Sequence, residues 1–481
     1  MSQNQSAPSN IGQRNDRRLG DPAASRTTDP HAPRTAGSRR GCPAPTCKGV
    51  LPASGERTEI LKPAASPPSG ALGRRELGAL IHPYRFLDNH TNFFYLAVDY
   101  ATLIAVLSAT IAFCHLRAAW GIAWYWTIPL VGLAVLAVGA IQHRLAGLGH
   151  EGAHYILFRN RLLNELVSDL LCMFPIFSTT QQYRQIHLGH HEFVNDWQRD
   201  PELINLGKTR MMDAFPMTRS QFIFNFGLRL FWPPTLLRYM WDNIYVTALG
   251  CGIHPYMKEQ QRAPTVLGRI RLTSLLGIMY VALMVGVLGW LSYHDSTALM
   301  IVAPLALYGA ALLVIALLPT QWFFSSRLKP VYSPKVASAL RLGFLTVLEY
   351  ALALSHYLTG VEWGVYFWLL WMLPLFTAFP YFMLLRDLFQ HANADMGKLT
   401  NSRVAFCNPL LRWAMFIYGQ DIHLTHHLYP AVPHYHLREL HEMLMERSAE
   451  YRRHVVECHG TLTNPRRLPS LLDVISRPAH S

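Results

Sequence analysis

An all-α, multi-pass transmembrane bundle carrying a histidine-rich cap is the fold this sequence predicts, and three observations carry it. Of 481 residues, 51% are hydrophobic and only 15% are charged, against about 25% charged in an ordinary soluble domain. Uncharged runs occupy 100–116, 118–143, 272–294, 296–326 and 363–385, each near the roughly 20 apolar residues that cross a bilayer. Of the 23 histidines, nearly half fall in a few short clusters outside those runs. This composition excludes whole-chain disorder. It also excludes a secreted disulfide scaffold, since seven cysteines at irregular spacing are too few and odd in number. The net charge of +13 does not indicate nucleic acid, because apolar runs separate the basic residues. Lys and Arg beside apolar runs fit the cytoplasmic flanks of membrane spans.

In chain order, residues 1–75 hold ten prolines, twelve Lys or Arg and no Phe, Trp or Tyr. Such a segment cannot bury enough apolar surface to offset its chain entropy, so a disordered tail is predicted there. Cys42 and Cys47 within it read as a metal pair or as free thiols. The membrane domain is predicted over 76–460, with a C-terminal tail over 461–481. Beside the five uncharged runs, 342–358 is a sixth candidate span, interrupted by Glu349. The charge-flanked stretches 161–177 and 221–250 read as helices lying in the membrane interface, or as buried re-entrant helices. Asp99 and Glu349 either line a cavity or sit near a span end or helix contact. The segment 144–220 has seven Arg and one Lys, and 324–341 has Arg327, Lys329, Lys335 and Arg341. The loops at 117–121, 293–297 and 359–362 share a single Arg. Both termini and the histidine clusters are therefore expected on the cytoplasmic side.

The clusters are HEGAH (His150, His154), HLGHH (His187, His190, His191) and HLTHH (His423, His426, His427). On a helix, positions i, i+3 and i+4 share a face with Cβ atoms about 5–6 Å apart, close enough for imidazoles to hold one ion. Chance would supply roughly 0.05 HxxHH matches in the chain, so the two present are not surface coincidences. His391, just after the last span in DLFQHANAD, can close the side those three segments leave open. His143 reads as structural, and His434, His436 and His441 as packing residues.

Many imidazoles and few carboxylates suit iron, copper or zinc. Nine ligands exceed what one ion can use, so two ions are implied. Two redox metals side by side can reduce dioxygen and yield an oxidant for an unactivated C–H bond, which zinc cannot do. A His-rich metal transporter would instead place its ligands inside the spans, along a pathway.

The set HEGAH at 150–154, HLGHH at 187–191 and HLTHHLYPAVPHYHL at 423–437 resembles the histidine boxes of the integral-membrane fatty acid desaturase family. Pro430 and Pro433 follow the last box as they do in that family, and the resemblance covers roughly residues 80–460. It implies a non-haem centre of two iron ions, dioxygen as co-substrate and a lipid or acyl chain as substrate. By position the ligands would be His150, His154, His187, His190, His191, His391, His423, His426 and His427. Desaturation is the reaction it implies first, with hydroxylation or ketolation of a lipid or carotenoid as the alternative on the same boxes. The stretch 272–385 departs from the family, with four apolar segments where two are usual, so one pair is expected to be extra or re-entrant.

Metal-bound imidazoles usually give their other N–H to a carboxylate or carbonyl. Glu151, Glu192, Asn195, Asp196, Asp387 and Asp421 lie beside the clusters and are candidates for that role or for surface solvation. The chain has no HPGG-type haem motif and no CxxC or CxxxxCxxC spacing. Electrons are therefore expected from a separate ferredoxin, rubredoxin or b-type cytochrome with its reductase. Arg159, Arg161, Arg184 and Arg199 would dock an acidic donor or lipid headgroups.

Overall fold

The computed structural model describes residues 74–207, 215–228, 233–245, 249, 255–294, 296–464, 466 and 468–476. Nearly all of the tail expected over 1–75, with Cys42 and Cys47, lies outside the described residues.

Among the described residues, six helices are long and apolar enough to cross a membrane. After a short helix α1 (Arg74–Ile81) come α2 (Thr91–Leu116) and α3 (Thr127–Ala153), joined by a turn with Trp120, Trp124, Tyr125 and Trp126 exposed. Such rings settle at the boundary between lipid tails and water. Next are α4 (Arg161–Val167), α5 (Thr180–Phe193), α6 (Pro201–Gly207) and α7 (Pro233–Asn243). The long helices α8 (Pro264–Ser292), α9 (Thr297–Leu317) and α10 (Pro334–Thr359) follow, and then the bent span α11 (Trp363–His391). The 272–385 stretch thus supplies four spanning-length helices, including the one that Glu349 was expected to weaken. The chain closes with α12 (His423–Leu428), α13 (Leu437–Arg447) and α14 (Leu471–Ile475). A small parallel sheet pairs β1 (Val404–Phe406) with β2 (Glu457–His459).

α3 is the central element. It packs against α2, α5 and the second half of α11, and Gly139 lets α11 approach, since a Cβ there would meet Ala378. The lower half of α3 is buried continuously from Val138 to Ala153 except at Ala146. α8, α9 and α10 pack on one another around Met284, Leu288, Leu291, Met300 and Ala353. Their remaining faces expose Leu275, Met279, Leu283, Leu305 and Leu313, the pattern of helices that face lipid rather than water.

The two stretches expected in the interface differ from each other. α4 runs into a π-helical turn, Ser168–Met173, with Asn164, Glu165, Ser168 and Asp169 buried. In the second stretch, α7 and the preceding turns bury Phe222, Phe226, Tyr239 and Met240 while exposing Ile223, Phe224, Leu237 and Trp241. Asp99 is buried inside the bundle, where Arg144 Nε donates to its Oδ1 at 2.6 Å and Tyr418 donates to Oδ2. Glu349 is half-buried on α10. Within the stretch expected as a C-terminal tail, α14 buries Leu471, Leu472 and Ile475 against Phe389, Phe416 and Cys458.

Candidate metal centre

The last turn of α3 carries His150 and His154, and the sequence between them explains its contacts. A Cβ on Gly152 would fall 2.2 Å from Ser168 Oγ, so only glycine lets α3 lie against the π turn. The last carbonyls of a helix lie beyond its own ladder; that of Gly152 accepts from Tyr155 N at 3.1 Å and Asn164 Nδ2 at 3.0 Å, and it and that of Ala153 also take a side-chain donor. Arg184 of α5 supplies one: Nη2 donates to Gly152 O and Nε to Ala153 O, each at 2.9 Å. The same guanidinium is forked onto Glu165 at 2.9 and 2.5 Å and is only 1% exposed. Arg184 therefore bolts α5 to the end of α3 and is not free for a docking partner. Arg199 pairs with Asp196, and Arg159 and Arg161 are exposed.

That clamp sets HLGHH of α5 opposite His150 and His154, while α12 and the end of α11 close the other side. All nine imidazoles meet in two groups, one of His150, His154, His187, His191 and His426, the other of His190, His391, His423 and His427. Each residue offers one donor atom, and the atoms of a group lie within 4.8 Å of one another. Each HxxHH helix serves both groups. α5 sends His187 and His191 to the first and His190 to the second, and α12 sends His426 to the first and His423 and His427 to the second.

The spacing fits metal ions. In the first group, Nε2 atoms of His154 and His187 are 2.9 Å apart, those of His187 and His191 3.0 Å, and those of His191 and His426 3.1 Å. In the second, His391–His423 and His423–His427 are 3.0 and 3.1 Å apart. A metal–nitrogen bond of about 2.0–2.1 Å puts neighbouring ligands at right angles about 2.9 Å apart. His187, His190 and His391 turn their Nδ1 outward, to Glu202 Oε1 at 3.2 Å, Asp200 Oδ2 at 2.9 Å and Asn401 O at 3.1 Å. With the proton on Nδ1, Nε2 of each of these three rings is a bare lone pair turned into its group, free to bind a cation.

The electrostatics agree. Burial, reinforced by the neighbouring imidazoles, pulls His154, His191, His423, His426 and His427 well below the usual histidine range. They stay neutral and available as donors. His190 is the exception: burial pulls it down, but the Glu202 and Asp200 carboxylates outweigh that and raise it to about 9. A metal cation on Nε2 would take the place of that proton.

The sequence-adjacent candidates divide. Glu151 Oε1 lies 3.6 Å from His150 Nδ1, and its Oε2 accepts the His434 N–H at 2.9 Å. Asn195 acts one step away. Its backbone is left-handed at φ +62°, a conformation asparagine tolerates. Its N–H donates to Asp200 at 3.0 Å, and its Nδ2 donates at 2.9 Å to Asn401 O, the carbonyl that receives His391. The other four face elsewhere. Glu192 accepts from Tyr256, Asp196 pairs with Arg199, Asp387 is held by Arg386, and Asp421 by Arg412 and Arg438. Asp200 and Glu202, the carboxylates that do hold ring nitrogens, were not singled out by the sequence. The available signal was an Asp-Pro-Glu at the start of a helix soon after the second box. His143 bonds Ala414 O and Arg386, and His434 bonds Asn92, so neither enters a group.

Comparison with known proteins agrees with this geometry. The fatty acid desaturase family model matches residues 125–324 and 313–459, and the chain belongs to that family. The chain is also similar to a protein named dihydrorhizobitoxine desaturase from Bradyrhizobium elkanii, at 30% identity over 164 residues. That match covers 32% of this chain and 41% of the relative's length. No solved structure gives a significant match.

Proposed function

We propose that the protein is a dioxygen-dependent membrane oxidoreductase with two iron ions that introduces a double bond into a lipid acyl chain. The observation that carries this is the pair of groups of imidazole nitrogens at coordination spacing. In this reading His150, His154, His187, His191 and His426 hold one ion, and His190, His391, His423 and His427 hold the other. When bound, the ions supply the electrons and the oxidising power that dioxygen needs to take hydrogen from an unactivated carbon.

The remaining work falls to the chain. Asp200, Glu202 and the Asn401 carbonyl fix three rings with Nε2 inward. Arg184 and Asn195 hold the segments that bear them. Burial of the imidazoles keeps bulk water from the site. The apolar bundle beside the cap is the natural place for a greasy chain, and the electrons come from a separate donor protein. The distribution of Lys and Arg supports a cytoplasmic cap and cytoplasmic termini.

Desaturation, rather than hydroxylation or ketolation, is favoured by the family description and by the name of the relative. Lipid analysis of cells expressing the wild type beside His191→Ala tests it. A double bond that appears only with the wild type is the expected result. A new hydroxyl or keto group would replace the reading, and identical lipids in both would remove it.

A further inference from the structure

Neither histidine spacing nor carboxylate chemistry points to Gln420, which lies in the turn just before α12. It is 4% exposed, and its Nε2 lies 3.4 Å from Nε2 of His150. The other nitrogen of that ring, Nδ1, is on the side of Glu151, 3.6 Å away. Nε2 is therefore the nitrogen that faces the five-imidazole group.

Which end of a glutamine amide faces a site is ordinarily inferred from its network, and here the network decides it. Gln390 Nε2 lies 2.7 Å from the backbone carbonyl of Gln420. A carbonyl oxygen can only accept, so the NH2 end of Gln390 must sit there. The same NH2 lies 3.1 Å from the Gln420 side-chain oxygen, which must therefore be the acceptor. Gln420 is left with its own NH2 turned toward His150. Once the His150 lone pair is committed to a metal, that buried donor has no acceptor on the ring, and a buried donor without an acceptor is costly. An ion held by these five imidazoles would have room for one small further ligand, and the Gln420 amide borders the group beside His150.

We propose that Gln420 is the hydrogen-bond donor to the small molecule, water or dioxygen, that enters beside the five-imidazole group, with Gln390 as the residue that pins its amide. This rests on the two-metal reading above. The donor would orient the incoming molecule and stabilise negative charge as it develops.

Azide accepts hydrogen bonds and binds iron, so it serves as the probe. Iron content and azide affinity, read by absorption titration, are to be measured on the full-length iron-loaded wild type, Gln420→Leu, Gln420→Met and Gln390→Met. Gln420→Leu and Gln420→Met should keep wild-type iron and bind azide roughly tenfold more weakly, the worth of one hydrogen bond to a charged group. Gln390→Met, which only frees the amide to turn, should show a smaller loss. Unchanged azide affinity in either iron-retaining Gln420 variant overturns the proposal. So does loss of iron from both, which would make Gln420 a ligand or a packing residue. A wild type that takes up no iron overturns the two-metal reading and this proposal together.

Discussion

His391 is the residue on which the two-metal reading can be tested most sharply, because no local repeat demands it. Its Nε2 lies 3.0 Å from that of His423, with Asn401 behind the ring. His391→Ala should lose iron while the protein still inserts. His434→Ala, whose ring bonds Asn92 instead, should keep it, and metal analysis of the two purified proteins decides. Equal iron in both would remove His391 from the centre. Asp200→Ala should leave all nine imidazoles in place yet weaken metal affinity about 10–100-fold, because His190 loses the group that orients it; unaltered affinity would show the contact to be incidental. At this scale the sequence revealed the imidazoles through a repeat, i, i+3, i+4, that needs only a helix. It did not reveal their supports. Glu192 follows a histidine directly, and one residue along a helix turns about 100° away from the shared face. Asp200 reaches His190 only because Asn195 reverses the chain, and no local spacing encodes that return.

Among the elements, the spans were legible because hydropathy alone defines them, and Glu349 did not prevent α10 from forming. α14 was not legible. Five residues among Pro and Arg read as a tail; a capping box between Ser470 and Asp473 starts the helix, and contact with β2 and α11 holds it in place. Leu472 there is 1% exposed. Leu472→Ala should therefore cost roughly 2–5 kcal/mol, read as a lowered thermal midpoint in detergent. A change within error would mean that α14 is detachable. The exposed ion pair between Arg219 and Asp473 on the same helix is too well solvated to carry that stability. Burial works to raise the Asp473 carboxyl, but the Arg219 and Ser470 side chains outweigh it and hold it at about 2.

Across the whole molecule, the division of labour between bundle and cap determines what metal does to stability. α5 and α12 each feed both imidazole groups, so an ion lost from one group loosens the helices that hold the other. α8, α9 and α10 have their own core and contribute no imidazole to either group. Chelation should therefore lower the thermal midpoint and strip amide protection from 180–193 and 420–428, leaving α8–α10 protected. An ion present at a thousandfold its dissociation constant stabilises the form that binds it by about 4 kcal/mol. The metal-free protein should also become acid-sensitive. His154, His191, His423, His426 and His427 are held well below the ordinary histidine value of about 6.5. The unfolded chain binds more protons than the folded one just below that value, so stability present above pH 6.5 is lost as pH falls beneath it. His190, raised to about 9, works in the opposite sense: its contribution is complete below 6.5 and fades as pH rises through 9. The lowered imidazoles outnumber the one that is raised, which makes the acid limb dominant. The iron-loaded protein should show it much less, because the metal occupies the lone pairs that protons would take. Thermal midpoints measured from pH 8 to pH 5, with and without chelator, test this. Parallel curves for the two forms, or protection lost equally from α8–α10, would show that the imidazole groups do not hold the cap together.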